Sequence, residues 1–191
     1  MPEEKVTFGL SNVYYATYTI TDGVVTFDTP VPIPGAVEMT NDAVGDPIKF
    51  YADNMVYYQG DNNQGYEGTL TIARLPNSFK EDVLAEELED TDSVLVEYAD
   101  AKTKPFALLF QFENDLNARR HVMYNCNAQR PSVNSSTKTD STEPNTTELQ
   151  YNAAPIMIND RPIVKASTTQ ATSPAVYNAW NTTVYQPPVS A

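Results

Sequence analysis

The sequence predicts a mainly β protein with one clear helix, and three observations predict it. The chain of 191 residues holds twelve Tyr and seven Phe among many Val, Thr and Ile, the residues that fit a pleated, half-buried surface. Fourteen Pro and repeated Asn/Asp/Gly clusters divide these residues into short runs. The stretch from Phe106 to Ala128 alternates with a period of two on both sides of a polar turn. In it Phe106, Leu108, Phe110 and Phe112 share one face, with Ala107 and Leu109 on the other. Both faces are therefore expected to be at least partly covered. Asn114 and Asp115 supply turn chemistry. On the return, Val122, Tyr124, Cys126 and Ala128 alternate with His121, Met123, Asn125 and Asn127. This hairpin is the expected centre of the core.

In chain order, Asn12 to Ile20 alternates as a strand, and Asp22-Gly23 turns it into a return strand over Val24 to Asp28. Pro30, Pro32 and Pro34 remove backbone donors at alternate positions, so this piece is expected to be extended but not central. A short strand follows from Ala36 to Thr40. Residues 41–66 read as a long loop with four tyrosines, Tyr51, Tyr57, Tyr58 and Tyr66, and no core of its own. Aromatic content argues against simple disorder. Two readings stand: the loop buries itself on a partner, or it is a β-excursion folded back on its own sheet. Tyr66 to Arg74 leaves it as a strand.

The spacing predicts a helix from Ser78 to about Leu88. Ser78 and Glu81 have capping-box spacing, and Phe79, Val83, Leu84 and Leu88 form an apolar stripe. Seven carboxylates and no base lie from Glu81 to Asp92, ordinarily a solvated face. A strand is expected over Val94 to Tyr98, a polar stretch with at most an edge strand over Gln129 to Thr147, and final strands over 148–159 and 163–166. Ser173-Pro174 predicts a cap and a first helical proline, with Tyr177, Trp180 and Val184 as the stripe of a brief helix. The whole is expected to form one domain, 1–191, with flexible arms at 1–8 and 186–191.

Catalysis finds no residues to stand on. One His and one Cys cannot supply a zinc set, and there is no nucleophile elbow, Walker loop, Rossmann glycine pattern or EF-hand. The expectation is no enzyme, no cofactor and no metal. Cys126 reads as a buried hydrophobe and His121 as a structural group. The formal charge of −13 disfavours binding to phosphate backbones. No signal segment and no apolar run of membrane-spanning length is evident, so the chain is expected to be made in the cytoplasm without a membrane partner.

Several fragments, taken in order, resemble the major tail protein family, the tail tube proteins of long non-contractile-tailed phages of Gram-positive bacteria. They include GLSNVYYA (9–16), PVPIPGAV (30–37), FYADNMVYY (50–58), GYEGTLTIA (65–73), KPFALLFQFE (104–113), RHVMYNCNAQRPS (120–132) and PAVYNAW (174–180). The resemblance implies a β-sandwich or barrel-like tail tube fold with a flanking helix and a long loop reaching a neighbouring subunit. It implies a structural virion protein of the phage tail, made in the host cytoplasm. Such subunits self-assemble as stacked, hexameric rings, and the tube conducts DNA into the host during ejection. The partners implied are further copies of the chain together with tape measure, tail terminator and distal tail proteins. Tyr51, Met55, Tyr57, Tyr58 and Tyr66 become candidate subunit contacts and Glu113 a candidate lumen residue. Ala85 stands where the family pattern places a helix-ending glycine, a departure expected to extend the helix. The alternative is a surface or carbohydrate-binding β-sandwich.

Overall fold

The computed structural model describes residues 5–135 and 145–188. Residues 1–4 and 189–191 of the expected arms, and 136–144 of the polar stretch, lie outside the described residues. The chain is mainly β, as its composition predicts. Its strands are β1 (Thr7–Thr21), β2 (Val24–Phe27), β3 (Val31–Pro32), β4 (Ala36–Val44), β5 (Ile48–Ala52), β6 (Met55–Gly60) and β7 (Gly65–Ile72). After helix α1 (Asn77–Asp82) come β8 (Glu87–Leu88), β9 (Leu95–Val96), β10 (Phe106–Asn114) and β11 (Arg119–Ala128). The chain continues through β12 (Thr147–Ala153), β13 (Ile156–Ile158), β14 (Arg161–Ile163) and β15 (Lys165–Ser167) to helix α2 (Pro174–Ala179).

One nine-stranded antiparallel sheet dominates, in the order β2-β1-β10-β11-β12-β7-β4, with β3 added to β1 and β15 to β11. The hairpin expected from Phe106 to Ala128 is β10–β11, and it occupies the middle of that order. Both its faces are covered. Phe106, Leu108 and Phe110 enter a core with Tyr15, Leu70, Ile72 and Leu149, while Ala107 and Leu109 enter a second core with Tyr124, Ile158 and Trp180. The sheet curls so that β4 comes back near β1. The first core fills the inside of this curl, and β13–β14 and the carboxy-terminal segment cover the second.

One face assignment is corrected. Simple alternation puts Cys126 beside Val122 and Tyr124, but Cys126 lies in the first core and those two lie in the second. Phe106 pairs with Cys126 while Leu108 pairs with Met123, so β11 carries one extra residue between them. Such a bulge reverses the facing of every later side chain. The His121 ring is stacked on Phe110 at 5.1 Å.

The first helix is shorter than its stripe suggests. Pro76, not Ser78, occupies the N-cap, and no side chain caps the first turn, so the capping box does not form. Phe79, Val83 and Leu84 are buried as expected, but Leu88 is exposed in the small β8–β9 hairpin. The helix stops because Ala85 is left-handed (φ 56°), with the Glu86 N–H donating to the Lys80 carbonyl at 3.0 Å. The expected extension past Ala85 is therefore wrong. Left-handed backbone costs a residue with a Cβ roughly 1–2 kcal/mol, part of which glycine returns as unfolded-state entropy. Ala85→Gly is expected to stabilise the protein by up to about 1 kcal/mol in urea titration; a loss of stability would contradict this account of the helix end.

The carboxy-terminal helix starts as its sequence predicts, with Ser173 Oγ accepting from the Val176 N–H at 3.5 Å and Pro174 first in the helix. It ends at Ala179 with Trp180 as its cap, so Val184 of the expected stripe lies beyond it. The chain beyond it is tied down. Tyr124 Oη donates to the Tyr185 carbonyl at 2.8 Å, and Trp180 is buried and stacks on Tyr185. Arg120 lies 4.1 Å over the Tyr177 ring and also donates to the Tyr177 carbonyl and to Gln111. This one arginine links the central hairpin to α2.

Burial pushes the phenols of Tyr15, Tyr124 and Tyr151 above their ordinary value of 10.0, and the Cys126 thiol above 9.0. The unfolded chain releases these protons at the ordinary values while the native chain retains them. Their contribution to stability is therefore complete below about pH 9 and is lost as pH rises through the raised values. The melting temperature is expected to fall steeply between about pH 9 and 11. A flat profile across that range would show these groups to be solvated.

Candidate assembly surface

The stretch expected as a loop over residues 41–66 is largely strand. β4 runs on to Val44, β7 begins at Gly65, and between them β5 and β6 pair only with each other. This arm turns at Asp53-Asn54, both left-handed at φ 51° and 59°, the backbone that suits a two-residue hairpin turn. Phe50 lies opposite Tyr58, Tyr51 opposite Val56, and Ala52 opposite Met55, with a bulge between Phe50 and Tyr51.

None of these large side chains is covered. Phe50 is 59% exposed, Tyr51 64%, Met55 62%, Tyr57 71% and Tyr58 60%. An isolated two-stranded hairpin is at best marginal in water and normally packs a face against something. Here both faces of the ribbon are bare. A contiguous apolar surface of this kind is a feature of contact sites. The arm is joined to the sheet by a tight neck, where the Gln64 N–H donates to the Val44 carbonyl at 3.0 Å. Gly45 sits there at φ 138°, and a Cβ on it would lie 1.8 Å from the Asn62 carbonyl oxygen, so the neck closes only around glycine.

The structure brings four of the five candidate contact residues together: Tyr51, Met55, Tyr57 and Tyr58 all lie on the arm. Tyr66 does not join them. It lies in β7, packs against the first core and has Lys165 Nζ 4.3 Å over its ring. Glu113 is exposed at the end of β10, opposite Phe8 of β1.

A second surface escaped the sequence reading. On β4, β7 and β12 the residues in register are Glu38, Thr71 and Glu148; Thr40, Thr69 and Gln150; Asp42, Glu67 and Asn152. The opposite face of these strands carries Met39, Leu70, Ile72, Leu149 and Tyr151 into the core. These nine outward residues are thus hydroxyls, amides and four carboxylates, with no base among them. Asp42 sits directly opposite Glu67, an arrangement that costs stability. The signal was the alternation of β12, TELQYNA, but only the register of three distant strands assembles the face.

Among the described residues no group of three or more His, Cys, Asp or Glu could hold a metal ion, and no helix is long and apolar enough to cross a membrane. No protein-family model and no curated protein matches the chain. Solved structures do. The anti-feeding prophage cap, described as the AFP tube terminating cap, superposes with a TM-score of 0.50 at 12% identity, over 88% of this chain and 96% of that one. A chain of the PVC sheath-tube complex, an extracellular contractile injection system in its extended state, gives a TM-score of 0.47 at 13% identity, over 82% of this chain and 89% of that one. The cap likeness is one of fold.

Proposed function

We propose that the chain is a structural subunit of a phage-type tail tube. It assembles with further copies into stacked, hexameric rings that conduct DNA during ejection. The observation that carries this reading is the arm: a two-stranded ribbon with bare aromatics on both faces, projecting from a well-packed β domain. The fold it shares with a tube-terminating cap supports the reading, as do the sequence fragments that resemble major tail proteins.

A duct for DNA needs walls that do not hold phosphate. Glu113 remains one lumen candidate. The acidic face of β4, β7 and β12 is the broader one, since it offers four carboxylates on a regular sheet without a cation to bind the backbone. A second reading, that the chain closes a tube rather than builds it, is favoured by the extent of the cap likeness. Electron microscopy of the purified protein at rising concentration tests both. Tubes of indefinite length support the subunit, and single rings that do not stack support the cap. A persistent monomer would contradict both and return attention to a carbohydrate-binding surface protein.

A further inference from the structure

The arm of one copy needs a receiving surface on the next, and the proline-rich segment, which adds only the short β3 to the sheet edge, presents one. Pro32 and Pro34 are exposed, whereas Pro30 and Ile33 are buried and anchor the segment. With Leu10, Tyr14 and Ala36 these two prolines line a surface groove of about 250 Å³, large enough to seat a tyrosine ring. The groove opens where β1 is irregular: its pairing with β10 shifts between Ser11 and Tyr14, and Asn12 is left-handed at φ 51°.

We infer that this groove receives the aromatic arm of a second copy. Three observations point to it. Proline has no N–H, so the Pro30–Pro34 edge is a poor template for another strand and must be met by side-chain packing. Extended prolines are a preferred partner for aromatic rings, being preordered and apolar. Charge gives the third. Copies carrying −13 each repel one another, so contacts should form where charge is absent. The segment 29–37 has no charged residue, the groove's other wall, 9–21, has none, and the arm 47–60 carries one Lys and one Asp. The inference rests on the assembly reading above and names the surface that reading leaves open.

The test is cross-linking in mixtures of two variants, each purified alone. The native thiol, Cys126, is fully buried and supplies little background. Tyr57→Cys is mixed with Pro34→Cys at assembling concentration, oxidised, and separated on a non-reducing gel; Pro32→Cys serves as a second acceptor. A dimer band in the mixture, at least tenfold above that of either variant alone, is the expected result. Sedimentation is recorded on the same samples. Polymer without the cross-link, or a Tyr57→Cys band of equal strength alone, each overturns the groove while leaving the assembly reading intact. Samples in which wild-type protein also stays monomeric overturn both.

Discussion

Replacing Phe50, Tyr51, Tyr57 and Tyr58 together with serine is expected to leave a folded monomer that no longer assembles at any concentration at which the wild type does. All four side chains are mostly exposed, so their loss removes little from the intrachain core. Covered by a second copy, each apolar side chain contributes about 1.5–3 kcal/mol, and aromatic anchors of this kind commonly dominate contact energetics. Removing four therefore exceeds what any modest association can lose. Melting of the quadruple variant should stay close to wild type, while sedimentation should report monomer only. Normal polymers from this variant would remove the arm from the account.

Phe106→Ala is expected to have the largest effect on the fold itself. Phe106 is fully buried and meets Phe79 edge-on at 5.3 Å, and Phe79 meets Tyr15 edge-on at 5.0 Å. The Tyr15 hydroxyl in turn donates to Asp82 at 2.7 Å, so the ring stack fixes α1 over the core. Truncation of such a phenylalanine costs about 3–5 kcal/mol, a large fraction of the 5–15 kcal/mol that holds a typical domain together. A urea midpoint unchanged by the substitution would show that β10 does not sit where its register places it.

The elements legible in the sequence are those whose signal is local. Asp22-Gly23 turns β1 into β2 with both residues left-handed, at φ 51° and 80°, as the dipeptide predicts. Ser173-Pro174 begins α2. The β10–β11 hairpin is readable because aromatics mark one of its faces and a polar turn divides it. What failed depends on contacts that a local pattern does not contain. The bulge in β11 leaves no mark in the alternation of His121 to Ala128. The end of α1 comes with a left-handed Ala85 just beyond it and the buried Phe79, Val83 and Leu84 packed beneath, a stop that the capping pattern does not announce.

The arm was half legible. Its aromatic content marked it as a contact candidate, yet IKFYA and MVYYQG, separated by the two residues Asp53 and Asn54, also carry a hairpin signal. That signal is obscured because both faces bear large apolar side chains, so no polar-apolar alternation remains. Tyr66 shows the converse limit: nearness in sequence grouped it with the arm, and the fold places it at the rim of the core.

The claim that the arm is buried by a second copy is tested most directly by amide hydrogen exchange over residues 48–60, measured on monomer and on assembled protein. In the monomer a ribbon packed on neither face should exchange quickly, since few buried contacts oppose its opening. On assembly those amides should slow by at least tenfold while the β10–β11 amides, already protected, stay unchanged. Assembled protein in which residues 48–60 exchange as fast as in the monomer would contradict the account.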